Sequence, residues 1–185
     1  DRAGNASFTG STRSADFPVT DKAFQPKYAG GQDAYVVKIS ADGSRLLYST
    51  YIGGTGEDSA GIAGKVLAVD AKGNTWVVGL TASRDFPLKA GIQTAYGGGD
   101  MDGVAFALDS SGARLKFSSY YGGDALDNIE GIALAADGSI WGSGLTASRN
   151  LLTVNALQTN YGGGLFDALI VKIYPPLLTD GRSKK

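Results

Sequence analysis

Residues 79–87 read "GLTASRDFP", residues 144–152 read "GLTASRNLL" and residues 10–18 read "GSTRSADFP". The glycines that open these phrases stand 69 and 65 residues apart. A phrase that recurs at nearly fixed distance is the signature of a repeat architecture, and it governs the fold assignment. Other phrases recur in the same order. "AFQPKYAGG", "GIQTAYGGG" and "ALQTNYGGG" precede "GGQDAYVVKI", "GGGDMDGVAFAL" and "GGGLFDALIVKI", while "LLYSTYIGG" at 46–54 returns as "LKFSSYYGG" at 115–123. The uneven interval comes from four extra residues in "DSAGIAGKVLAVDAKGN" relative to "DNIEGIALAADGS". The duplication covers nearly the whole chain.

Each phrase reads as a short strand bounded by turn residues. "AYVVKIS" and "ALIVKIY" are β-branched and aromatic, and "ADGSRLLYSTYI" opens on Asp-Gly before running into a strand. No segment longer than about ten residues keeps a helical period without a glycine. The chain is all-β. One full unit predicts strands A (66–70), B (74–80), C (102–109) and D (114–121), with the repeated phrase as the exit from strand B. Four consecutive antiparallel strands repeated along a chain describe a β-propeller blade, which is apolar on both faces and stacks on its neighbours.

The strand order is BCD, ABCD, ABC, or ten strands in about 2.5 blades. Residues 1–174 form this propeller segment and 175–185 a C-terminal tail. Rings of this kind have about four to eight blades. The expectation is an incomplete ring: part of a longer protein, or a piece completed by other chains. The start at Asp1 instead of Met fits a processed or partial chain.

Composition narrows the function classes. With no Cys and no His, the chain cannot supply a disulfide, a thiolate nucleophile, a Ser-His-Asp base or a His metal site. A net charge of −1 carries no footprint for nucleic acid. No apolar run approaches the roughly 18 residues that span a bilayer. The 28 glycines point to many tight turns.

The linked motifs "DFP", "AFQ..Y.GG..DA.V.KI...G..L.YSTY.GG" and "D..GN..V.G.T.S" resemble the SBBP-type β-propeller repeat of bacterial exported and cell-surface proteins. The likeness covers roughly residues 1–174. It implies a propeller and an extracytoplasmic setting (secreted, periplasmic or cell surface), with no defined reaction. Unit three departs from the pattern: Asn150, Leu151 and Leu152 stand where Asp85, Phe86 and Pro87 do, which suggests a different turn in a terminal blade.

Candidate site residues have two readings each. Asp33, Asp102 and Asp167, each between a glycine turn and strand C, are oxygen ligands of the kind Ca²⁺ takes, or carboxylates that accept hydrogen bonds from turn amides. A feature placed once per blade favours the second. Asp58 and Asp127, after the second glycine turn, divide the same way. Trp76, Trp141, Tyr96 and Tyr161 either stack on sugar rings or fill the space between blades, and large side chains contribute most to packing. "YGGG" at 96–99 and 161–164 lacks the helix and Gly-Lys-Ser/Thr of a phosphate loop. The adjacent acidic pair Glu57 and Asp58 reads as a water-facing surface turn. The tail "LLTDGRSKK" is a solvated end or a docking segment for an acidic partner.

The leading expectation is a non-enzymatic structural or interaction module of an exported or cell-surface propeller, with no cofactor, whose open strand edges pair with other polypeptide. A carbohydrate-binding propeller is the alternative, and a carboxylate-dependent glycosidase the second.

Overall fold

The computed structural model describes residues 1–61 and 64–176. Eleven strands run in chain order: β1 (Ala6–Thr12), β2 (Asp33–Ile39), β3 (Leu46–Ile52), β4 (Asp58–Ser59), β5 (Leu67–Val69), β6 (Thr75–Thr81), β7 (Asp102–Leu108), β8 (Leu115–Tyr121), β9 (Asp127–Leu134), β10 (Ile140–Thr146) and β11 (Asp167–Ile173). They form three antiparallel sheets, none closed into a barrel. The first is β1-β2-β3, the third is β9-β10-β11, and the middle one runs from β4 through β6 and β7 to β8, with β5 also on β6. These are blades BCD, ABCD and ABC. The tail "LLTDGRSKK" lies outside the described residues.

Strand A of the second blade lies where expected, as β5 paired with Thr75, Trp76 and Val77, and an unexpected short β4 precedes it, paired with Leu80 and Thr81 of the same β6. The third blade keeps a single β9, with a register shift on β10 between Ser143 and Gly144. An extra residue on one strand is a β-bulge. The second blade has four more residues than the third between its aspartate and strand B, and both β4 and β5 stay in register on β6.

The hairpin between strands C and D uses the expected turn chemistry. Gly43 and Gly112 take φ of 73° and 69°, a region that glycine enters without a Cβ penalty. The Asp42 carboxylate accepts from the Ser44 amide at 3.1 Å and from the Ser40 and Ser44 hydroxyls, which holds its pKa down at about 2.

Alternation along each strand sends its two faces to different neighbours. Val77, Val104, Phe106 and Leu108 pack toward the first blade, with Val36, Tyr48 and Ile52. Trp76, Val78, Ala105 and Ala107 pack toward the third, with Ile129, Ile132, Leu169 and Val171. The core is therefore two apolar layers, one between each pair of successive sheets. The Tyr48 hydroxyl crosses the first layer to Thr75 Oγ1 at 2.7 Å.

Candidate functional site at the blade junctions

The chain passes from strand D of one blade to strand A of the next through a Gly-Gly turn, and here the repeated phrases meet. At the first junction Asp58, fully buried at the start of β4, accepts hydrogen bonds from the Gly54 amide and the Ser83 hydroxyl, both at 2.7 Å, and from the Thr81 hydroxyl. Ser83 Oγ also accepts from the Gly56 amide at 2.8 Å. The second junction repeats the arrangement: Asp127 accepts from the Gly123 amide and the Ser148 hydroxyl at 2.7 Å, and from Thr146. Ser148 in turn accepts from the Ala125 amide at 2.9 Å.

The recurrence of "GLTAS" is thereby explained. A Cβ at Gly79 or Gly144 would collide with the carbonyl of Ser59 or Asn128, so strand A can approach only where strand B carries glycine. The threonine and serine then hold the buried carboxylate of strand A. The expectation that Glu57 and Asp58 both face water holds for Glu57, which meets Arg13 at 2.8 Å on the surface, and fails for Asp58. Asn150 also keeps the turn instead of changing it. Its Oδ1 accepts from the Asp124 amide at 2.8 Å, as Asp85 Oδ1 accepts from Thr55 at 2.9 Å.

A second carboxylate lies on the other side of each Gly-Gly turn. Asp33 Oδ2 accepts from Gln25 Nε2 and the Ala29 amide, both at 2.9 Å, and Gln25 Oε1 accepts from the Gly53 amide at 3.1 Å. Asp102 Oδ2 accepts from the Gly97 amide at 2.6 Å, and Gln93 Oε1 from Gly122 at 3.1 Å. The other oxygen of each, Oδ1, is buried without a partner. A Cβ on Gly53 would stand 2.7 Å from Asp58 Oδ2 and 2.8 Å from Asp33 Oδ1, so the two carboxyl groups converge on one point. Burial pushes Asp33 and Asp102 up to about 6, and the neighbouring charges of Asp58 and Asp127 add to the effect. Burial raises Asp58 as well. The carboxyl groups are closed off behind the turns, Asp58 held by main-chain and hydroxyl donors and Asp33 by the Ala29 amide and Gln25.

Asp167, the third of the series, accepts from Gly162 and, at 3.4 Å, from Gln158, and among the described residues no further sheet lies beside it. Among the described residues no three His, Cys, Asp or Glu side chains gather where they could hold a metal ion. Each of the three Asp carboxylates serves its own glycine turn.

The four aromatic candidates separate. Trp76 is buried, tilted against Phe117 at 5.9 Å, and its Nε1 donates to Asp70 Oδ2 at 3.0 Å. Trp141, its equivalent in the third blade, is 44% exposed with the Lys172 ammonium 5.1 Å from its ring centre. The Tyr96 and Tyr161 hydroxyls donate to the Gly99 and Gly164 carbonyls at 3.3 and 3.0 Å and so brace the glycine turns. The structure also brings in Thr81, Ser83, Thr146, Ser148 and the glutamines Gln25 and Gln93. Their signal was present in the sequence as the recurring T-x-S and the recurring Q ahead of each glycine cluster.

No protein-family model matches the chain, and no curated protein matches it.

Proposed function

We propose that the chain is a non-enzymatic structural and interaction module of an exported or cell-surface β-propeller, completed by or docked on other polypeptide. One observation carries the reading: the outer face of the third blade is built like a covered interface and left open. Ile170 is 75% exposed, whereas its equivalents Ala105 and Val36 are 1% and 0%. Edge strands with free amides and carbonyls are templates for association, and large exposed apolar faces mark interaction sites. The extracytoplasmic setting rests on the resemblance of the repeat and on the lack of cysteine. Among the described residues no helix is long and apolar enough to cross a membrane.

Native mass spectrometry of the chain in its producing cells' extract tests the proposal. A species well above 19.0 kDa that contains the chain is expected. A folded species of 19.0 kDa and nothing heavier would overturn it.

Carbohydrate binding is the second reading, and it has one observation in its favour. Trp141 and Ile170 line an open groove of about 320 Å³. Glycan binding abolished by Trp141→Ala, with the fold intact, would establish it.

A further inference from the structure

The two junctions inside the chain define what a third would require, and the third blade holds one half of it ready. Tyr161 braces Gly164 as Tyr96 braces Gly99, and Gln158 Nε2 donates to the Asn160 carbonyl at 3.0 Å as Gln93 does to Ala95. Gly163 and Gly164 take φ of 104° and 84°, and Gly98 and Gly99 take 139° and 62°. The loop is thus the same loop, already folded. What differs is its occupancy. A Cβ on Gly98 would stand 3.3 Å from the Gly123 carbonyl, and one on Gly30 3.3 Å from that of Thr55, yet around Gly163 and Gly164 nothing lies within 4 Å. Gln25 Oε1 and Gln93 Oε1 each accept the first amide of a Gly-Gly turn, and among the described residues Gln158 Oε1 has no such donor. Among the described residues the outer edge of β11 has no partner strand. On the adjoining face Trp141 is 44% exposed where Trp76 is 6%.

We propose that this edge and face take one kind of occupant: a polypeptide segment with the repeat's own strand–Gly-Gly–Asp–strand pattern, as in residues 46–69 and 115–134. The inference rests on the interaction-module reading above and gives its partner a chemistry. The first strand of the segment adds to β11 through main-chain hydrogen bonds. The first glycine amide reaches Gln158 Oε1. Glycine is required there because a Cβ at the equivalent Gly122 would collide with the Asp102 carboxylate. The second strand lays apolar side chains over Trp141 and Ile170, as Ile129 and Ile132 lie in one apolar layer with Trp76 and Ala105. A folded second copy of this chain is not the donor. Both of its connectors are held in its own junctions, with Asp58 and Asp127 fully buried.

The test uses the full chain and a peptide of residues 115–134, carried on a soluble carrier protein so that it does not self-associate. Saturable binding of one peptide per chain is expected, with a blue shift in emission that Trp141→Phe removes. Replacing Gly122 and Gly123 of the peptide by valine, or Ile170→Asp in the chain, should weaken binding at least about tenfold, the scale of one lost buried contact. Absence of binding, or equal binding of the valine peptide, overturns the inference. So does a homodimer of the chain in which the amides of β11 are protected from hydrogen exchange. A heavy native species without peptide binding would leave the module reading standing and remove this one alone.

Discussion

Asp127 Oδ2 accepts a 2.7 Å hydrogen bond from the Ser148 hydroxyl, and Asp58 makes the same contact with Ser83 at the same distance. In each case strand A is fastened to the exit of strand B within its own blade, and the same carboxylate accepts from the Gly-Gly turn that arrives from the blade before. A hydrogen bond to a buried charged group contributes about 1.5–3 kcal/mol, and an exposed ion pair far less. Ser148→Ala should therefore lower unfolding stability by about 2 kcal/mol. Asp127→Ala should cost more, because it strands three donors. Arg13→Ala, at the exposed pair with Glu57, should change stability by less than about 1 kcal/mol. Urea unfolding followed by tryptophan emission measures all three.

The buried carboxyls Asp33 and Asp102 make stability depend on pH in a defined direction. Their folded pKa of about 6 lies above the unfolded value of 3.8, so between these limits the native state binds more protons than the unfolded state. Stability from these groups is greatest below pH 3.8 and declines as pH rises through about 6. Asp42 and Asp137 act oppositely. With folded values of about 2, their contribution is full above 3.8 and is lost as pH falls through about 2. The windows do not overlap. In Asp33→Asn/Asp102→Asn the decline between pH 4 and 6 should shrink, and stability at pH 7 should rise, as read from urea midpoints across pH. An undiminished slope would show that the charge at these positions is not the cause.

Two glycine substitutions should separate close approach from conformational freedom. In Gly79→Ala the added methyl meets the Ser59 carbonyl, a main-chain group that cannot move alone, and a loss of at least about 3 kcal/mol is expected. At Gly163 nothing lies within 4 Å and only the positive φ opposes a side chain, so alanine there should cost about 1 kcal/mol. Thermal unfolding of the two variants side by side gives the contrast.

The covered and open faces of equivalent strands should respond oppositely to the same charge. Ala105→Asp buries an unpaired carboxylate between blades and should leave little folded protein at 25 °C. Ile170→Asp, at the matching position of the third blade, should stay within about 0.5 kcal/mol of the parent chain in isolation. Circular dichroism of both variants checks this.

The strands, their order and their grouping into BCD, ABCD and ABC were legible because each lies between turn residues in phrases that occur two or three times. Burial of Asp58 was not. In the sequence it adjoins Glu57 in a glycine-rich turn, and only pairing with Leu80 and Thr81 shows that strand A begins at the aspartate itself. The short β4 ahead of β5 was equally hidden, since four extra residues in one repeat do not announce where they fall. The hydroxyls of Thr81 and Ser83 were visible as repeated letters. Their role needs the third dimension, because Asp58 stands 23 and 25 residues away from them.

The second blade has four more residues than the third between its aspartate and strand B, yet Asp58 and Val69 pair as their counterparts do in the third blade. Spacing between repeats is thus set by two half-sites, an aspartate and a Thr-x-Ser, and not by a residue count. Because each junction takes its glycine turn from one unit and its aspartate and Thr-x-Ser from the next, a crossover between any two equivalent points in the gene rebuilds an intact junction. Units of this kind can be gained or lost by unequal recombination without repair of the interfaces they leave behind, and the length of such an array is free to drift while its joints are not.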